Sequence, residues 1–307
     1  LSDLLGILAH DILPIFIVIG LGFVFGRRFK PDVQVLSRVT FYIFSPCLVF
    51  TSLVRSSLAG GELAQIAGFT AATVLTMGGL GWLAARLLRL DVAATAGLAL
   101  VCMFVNAGNY GLGVNLRAFG EEGLARAVIY FTTSTLLVYT LGVSIAARGN
   151  GLGWRGALRR VFEVPPVYAV VAAFAARAFL LDFTHPALEP LLAGVDIAGR
   201  AAIPTMLIIL GVQLAQTSLA QHARTALLAS GLRLVVAPAV AWVAAGLIGL
   251  TGFARQASIV EASMPAAVIN IILATEYRAA PALVTSAVLI STLISPVTLT
   301  VMIALLK

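Results

Sequence analysis

The chain has 307 residues, of which 60% are hydrophobic and only 11% charged. Ordinary soluble domains carry about 25% charged residues, so a water-soluble globule of this size is excluded, as are disordered, collagen-like and disulfide-scaffold classes. The net charge of +7 comes without any basic cluster interleaved with aromatics, so it reads as span-flanking charge, and no nucleic-acid partner is expected. Taken in chain order, apolar runs bounded by charges or turn residues predict ten transmembrane helices. They cover 8–26, 35–54, 63–87, 92–118, 123–147, 164–181, 189–217, 223–250, 254–277 and 281–306. These runs are far longer than a barrel strand of about 10 residues and lack its alternation, so the expected class is an all-α polytopic membrane protein. The first run is a full span rather than a short leader core, so no cleavable signal peptide is expected. Cys47 and Cys102 lie within apolar runs and read as buried thiols, with no metal or disulfide implied.

Basic residues in the connections set orientation. Twelve of them, from Arg27, Arg28, Lys30 and Arg38 to Arg148, Arg155, Arg159, Arg160, Arg224 and Arg278, fall on one side. The other side holds seven, Arg55, Arg117, Arg126, Arg177, Arg200, Arg255 and Lys307, together with most of the acids. Both termini are therefore expected to be non-cytoplasmic, and the basic loop 148–162 cytoplasmic, in a bacterial inner (plasma) membrane.

Landmarks recur at a shift of about 152–160 residues. Pro14 is echoed by Pro166, Ser45-Pro46-Cys47-Leu48 by Ile203-Pro204-Thr205-Met206, Trp82 by Trp242, and Thr132-Thr133-Ser134-Thr135 by Ser291-Thr292. The repeat divides the chain into 1–147 and 163–307, each with five predicted spans. An odd-numbered unit repeated once in a chain must take opposite topology, which is the inverted-repeat plan of secondary transporters, with the site near the midplane.

The repeat also pairs the two least helical stretches. One is Asn106-Ala107-Gly108-Asn109-Tyr110-Gly111-Leu112-Gly113 in the fourth span; the other is Glu261-Ala262-Ser263-Met264-Pro265-Ala266-Ala267-Val268-Ile269-Asn270 in the ninth. Glycine and asparagine lower helix propensity, and proline both removes an N–H and clashes with the carbonyl four residues earlier. In hydrocarbon such breaks survive only where protein or a wet cavity satisfies the freed backbone. Two crossing broken helices, 4 and 9, would bring four half-helix ends together. The second halves, from near Leu112 and Ala266, would aim free N–H groups and positive dipole ends at a bound anion. Asn106 and Asn109 would orient a carboxylate while remaining neutral, Gly108, Gly111 and Gly113 would allow close approach, and Pro265 with Asn270 would supply the second half of the site. Simple kinks are the plainer reading of the same residues.

These stretches, with the run from Met264-Pro265 to Glu276-Tyr277 and the Pro296-containing last span, resemble the auxin efflux carrier family of plant PIN-like and bacterial carboxylate carriers. Pro46 and Pro204 also fall where that family commonly has proline, and the likeness covers nearly the whole chain. The resemblance implies a homodimer with helices 1, 2, 6 and 7 as scaffold and helices 3–5 and 8–10 as a transport domain that moves as an elevator. The cargo it implies is a small organic anion, a mono- or dicarboxylate or an auxin-like acid, with no cofactor. In Gly111-Leu112-Gly113 a glycine stands where the family often has proline, which makes the break less rigid. Ala266 follows Pro265 where plant members have a polar residue, a departure that bears on auxin as the substrate.

Two ionisable residues lie deep in apolar runs, Glu261 in the ninth span and Arg233 in the eighth. Charges at that depth are costly and usually paired or functional. They read as an ion pair with each other, or as a coupling site for H+ or Na+ at Glu261, or as a substrate counter-charge at Arg233. An intramembrane enzyme would need a nucleophile–base pair or metal ligands, whereas His10, His185 and His222 fall near predicted span ends or in loops. A channel would show charge rings or a filter segment. A sodium-coupled organic-anion symporter of the bile-acid carrier type is the closest alternative.

Overall fold

The computed structural model describes residues 2–58, 60–147, 164–179, 185–186, 188–217 and 223–307. The expected basic loop at 148–162, together with Asp182 and His222, lies outside the described residues. The described chain is nearly all helical. In order, the helices are α1 (Asp3–Phe29), α2 (Val33–Arg55), α3 (Gly60–Leu87), α4 (Val92–Met103), α5 (Ala107–Ala146), α6 (Pro165–Ala178), α7 (Glu189–Gln216), α8 (Arg224–Ile248), α9 (Gly252–Ala262), α10 (Ile269–Glu276) and α11 (Pro281–Leu306). Seven of them are long and apolar enough to cross a membrane, and α4 and α6 are shorter apolar helices. No strand forms among the described residues; an isolated antiparallel bridge joins Val105 to Ala266.

The fourth and ninth predicted spans are each divided in the structure. The chain leaves α4 at Phe104 and becomes helical again at Ala107, while α9 ends at Ala262 and α10 begins at Ile269. The second part of the fourth span then runs into the fifth within α5, where Gly120 (φ 67°, ψ −162°) makes the kink between them. Only a residue without Cβ takes that backbone conformation cheaply, so the predicted boundary becomes a one-residue corner.

Prolines account for three of the five π-turns among the described residues. The π-turns Leu8–Ile12, Thr40–Phe44 and Leu232–Val236 each end two residues before a proline: Pro14, Pro46 and Pro238. A widened turn relieves the clash between the ring and the carbonyl four residues back. Two of the carbonyls that prolines leave without an N–H find side-chain donors, in keeping with the need to satisfy backbone in hydrocarbon. Ser295 Oγ donates to the Thr292 carbonyl at 2.7 Å, behind Pro296. Arg117 Nη2 donates to the His10 carbonyl at 2.6 Å, behind Pro14.

Glycines set the closest helix crossing. A Cβ on Gly211 would lie 2.0 Å from the Ile19 carbonyl oxygen, and one on Gly22 would lie 2.4 Å from that of Ile208. Gly22 of α1 thus meets Gly211 of α7 backbone to backbone, and Gly26 lies against the Val212 backbone and the Ala215 methyl, the small-residue packing that joins helices in lipid. Around this pair, α2 packs on α6 and α7; elsewhere α3 packs on α4 and α5, α9 on α5, and α8 on α11.

Candidate functional site

The two helix breaks meet. Asn106 N donates to the Pro265 carbonyl at 2.9 Å, and Ala267 N donates to the Phe104 carbonyl at the same distance. Asn270 Nδ2 adds a 3.0 Å bond to the Phe104 carbonyl, and Ser291 Oγ accepts from Ala266 N at 3.2 Å. Backbone that glycine and proline withdraw from helix is therefore paired across the breaks. The arrangement fixes where the four half-helix ends point.

The two C-terminal ends converge on Arg233. Its Nη1 donates to the Cys102 carbonyl at 2.7 Å, and its Nη2 donates to the Ala262 carbonyl. One guanidinium fork thus answers the negative ends of α4 and α9. This corrects the ion-pair reading of the two buried charges, because no ion pair joins Arg233 to Glu261 among the described residues. The physical reason is geometric: the fork is already occupied by two carbonyls whose helix-end dipoles need a cation.

Glu261 instead faces α5. Its Oε1 accepts from Asn115 Nδ2 at 3.0 Å, and the same Nδ2 donates to the Gly111 carbonyl at 3.1 Å. A Cβ on Gly111 would fall 2.3 Å from Glu261 Oε2, so this glycine is needed for the carboxylate to fit. Arg126, counted from the sequence among the loop charges, is likewise buried and joined to Glu62 and Glu122.

The N-terminal ends of the second halves open into a cavity of about 490 Å³. Ala107, Gly108 and Asn109 at the start of α5 line it, as do Ala267, Val268 and Ile269 around the start of α10. Ala107 N, Asn270 N and Ile271 N are taken by the carbonyls of Val105, Ala267 and Val268, so the first-turn donors left to face this space are the N–H groups of Gly108 and Asn109 in α5 and of Ile269 in α10. Asn106 also lines it and is 4% exposed, with Nδ2 unpartnered. Phe41, Phe131, Val138, Tyr139 and Met206 form apolar walls, and the cavity reaches the exposed Gln34 and Arg38. At other helix ends, polar bonds join α1 and the end of α2 to α5 and α11. Lys307 Nζ pairs with Asp11 at 2.6 Å, and Ser57 Oγ donates to Glu122 at 2.9 Å.

Of the residues singled out from sequence, Asn106, Gly108 and Asn109 line the cavity, whereas Tyr110, Gly111, Gly113, Met264, Pro265, Ala266 and Asn270 do not. Tyr110 is fully buried and edge-on to Phe16, with its hydroxyl 3.4 Å from Ser295 Oγ. Gly113 lies against Ile203 and Leu207 of α7. Pro265 and Asn270 act on the crossing backbone. Sequence reasoning passed over Asn115, although an asparagine one helical turn after Gly111 in an apolar run is a detectable signal. It also passed over the cavity wall from Phe131 to Tyr139 and over Gln213 of α7, whose Oε1 is buried without a partner.

The chain is similar to known transport proteins. The family model for the membrane transport protein family matches residues 7–153 and 155–303. The chain is 33% identical over 298 residues to an uncharacterized transporter of Methanothermobacter thermautotrophicus, covering 94% of this chain and 95% of that protein. It is 27% identical over 277 residues to an uncharacterized transporter of Methanocaldococcus jannaschii, covering 89% of each.

Proposed function

Since this chain belongs to the membrane transport protein family, the auxin efflux carrier-like transporters, we propose that it is a secondary carrier of small organic anions, mono- or dicarboxylates or auxin-like acids. The observation that carries this reading is the sorting of half-helix ends. The negative ends of α4 and α9 are closed off by Arg233, while the positive ends of α5 and α10 face a cavity. A carboxylate in that cavity would accept from first-turn N–H groups and from Asn106 Nδ2, and the apolar wall would hold its hydrocarbon part.

In this reading the chain forms ten spans as two inverted five-helix repeats, residues 1–147 and 163–307, with helices 4 and 9 broken and crossing. Helices 1, 2, 6 and 7 form a scaffold and the homodimer contact in a bacterial inner membrane, with both termini outside the cytoplasm. Helices 3–5 and 8–10 carry the anion by an elevator motion. Support comes from the packing of α2 on α6 and of α1 on α7, and from the paired breaks at 104–106 and 263–268.

The test is a counterflow screen of carboxylates in proteoliposomes, followed by binding to purified Asn106→Ala. Loss of one hydrogen bond to an ionised ligand, about 1.5–3 kcal/mol, predicts weakening of at least about tenfold with an unchanged melting temperature. Normal binding by Asn106→Ala would place the anion elsewhere.

A further inference from the structure

Behind the crossing lies a second polar group that the anion reading does not use. Glu261 is 0% exposed, and its Oε2 has no partner. Asn115 Oδ1, on the residue that donates to Glu261 Oε1, is also unpartnered. So is Ser258 Oγ, one turn earlier on α9, where residues three apart share a face. The Gly111 carbonyl lies 3.1 Å from Asn115 Nδ2. Unpartnered oxygens of Asn115 and Ser258 thus accompany a buried carboxylate whose own Oε2 is unpartnered, and the absence of a side chain at Gly111 lets that carboxylate lie directly against the α5 backbone.

Neighbouring groups do not supply the missing positive charge. Arg233 on α8 is engaged with the Cys102 and Ala262 carbonyls. Tyr130 of α5, within electrostatic reach of both Glu261 and Arg233, and Tyr110 of α5 bring hydroxyls and no cation. Arg126 of α5 is paired with Glu62 and Glu122, and Cys102 of α4 is a buried thiol. The other helices packed on α9, α3 and α11, carry titratable side chains only near their ends. An uncompensated carboxylate at such a site is strongly disfavoured.

We propose that Glu261, Asn115, Ser258 and the Gly111 carbonyl form a binding site for one monovalent cation, separate from the cavity at Asn106. A proton and a sodium ion both supply the required chemistry, a single positive charge on the carboxylate. The inference rests on the carrier reading and names its coupling ion site. With the cation bound, Arg233 remains as the buried positive charge at the crossing, which favours an anion in the cavity. Filling either site then strengthens the other by the same factor.

The experiment is a thermal-stability titration of the purified full-length protein, in detergent and without any carboxylate. One arm replaces choline by Na+ at constant ionic strength and pH; the other varies pH in choline. The wild type is expected to gain stability with Na+ or with acidification, and the arm that responds identifies the ion. Glu261→Gln is expected to lose that response, and Asn115→Ala to shift its midpoint at least about tenfold toward higher cation concentration. A response of wild-type size and midpoint in both variants would overturn the site, as would a wild type indifferent to both arms. If Glu261→Gln does not fold, Asn115→Ala and Ser258→Ala decide on the same criterion. Because no carboxylate is present, failure here leaves the Asn106 cavity reading intact, and failure of Asn106→Ala leaves this site intact.

Discussion

Replacing Arg233 by methionine removes the cation from the ends of α4 and α9 while keeping a long side chain in the same space. Two hydrogen bonds from a guanidinium to carbonyls are lost, those to Cys102 and Ala262. Bonds to charged groups contribute about 1.5–3 kcal/mol each, so the gross loss is about 3–6 kcal/mol. Relief from burying a charge works the other way and amounts to several kcal/mol per ion in an apolar interior. That relief is reduced here because the guanidinium answers two helix-end dipoles, and because its removal leaves both carbonyls bare. The net expectation is a destabilisation of about 2–4 kcal/mol for Arg233→Met. Arg233→Lys keeps the charge but, lacking the fork, engages one carbonyl well and loses about half as much. Denaturant unfolding in detergent measures both variants. Anion binding should weaken in the order wild type, lysine, methionine, because the crossing that aims α5 and α10 loosens. A methionine variant within about 0.5 kcal/mol of wild type with unaltered binding would refute the dipole-capping argument.

Two further tests bear on packing. Gly211→Ala should destabilise by about 1–3 kcal/mol, because its Cβ would meet the Ile19 carbonyl at 2.0 Å and force α1 and α7 apart; Gly20→Ala, with nothing within 4 Å, is the neutral control in the same melting assay. Lys307→Met removes the pair with Asp11, a partly exposed contact expected to contribute less than about 1 kcal/mol, so deuterium uptake in 8–14 should rise while the melting temperature barely moves. Unchanged uptake would mean that the pair does not hold α1 against α11.

Much of the architecture was readable because its physics is local. The apolar runs follow from the need to fill hydrocarbon, and α7 and α11 end within about one residue of their predicted limits. The breaks were equally legible, since Asn106–Gly113 and Pro265 violate helix propensity inside stretches that must be helical. The ion-pair expectation failed for a physical reason that no spacing reveals. Arg233 and Glu261 belong to different helices, and the orientation of each depends on which half-helix end it meets.

The sequence by itself determined the solvent of this protein, the positions of its helices and the two places where helix is interrupted. Each of these depends on a residue's own chemistry or on its neighbours along the chain. Only the tertiary structure decided how the polar residues at those interruptions divide their work. Asn106 and Asn109 face the cavity, Asn270 and Arg233 hold the crossing, and Asn115 stands with Glu261 behind it. A buried hydrogen bond is a contact between groups remote in the chain, Asn115 and Glu261 being 146 residues apart. The pairing that separates the Asn106 cavity from a buried carboxylate exists only once the two broken helices meet.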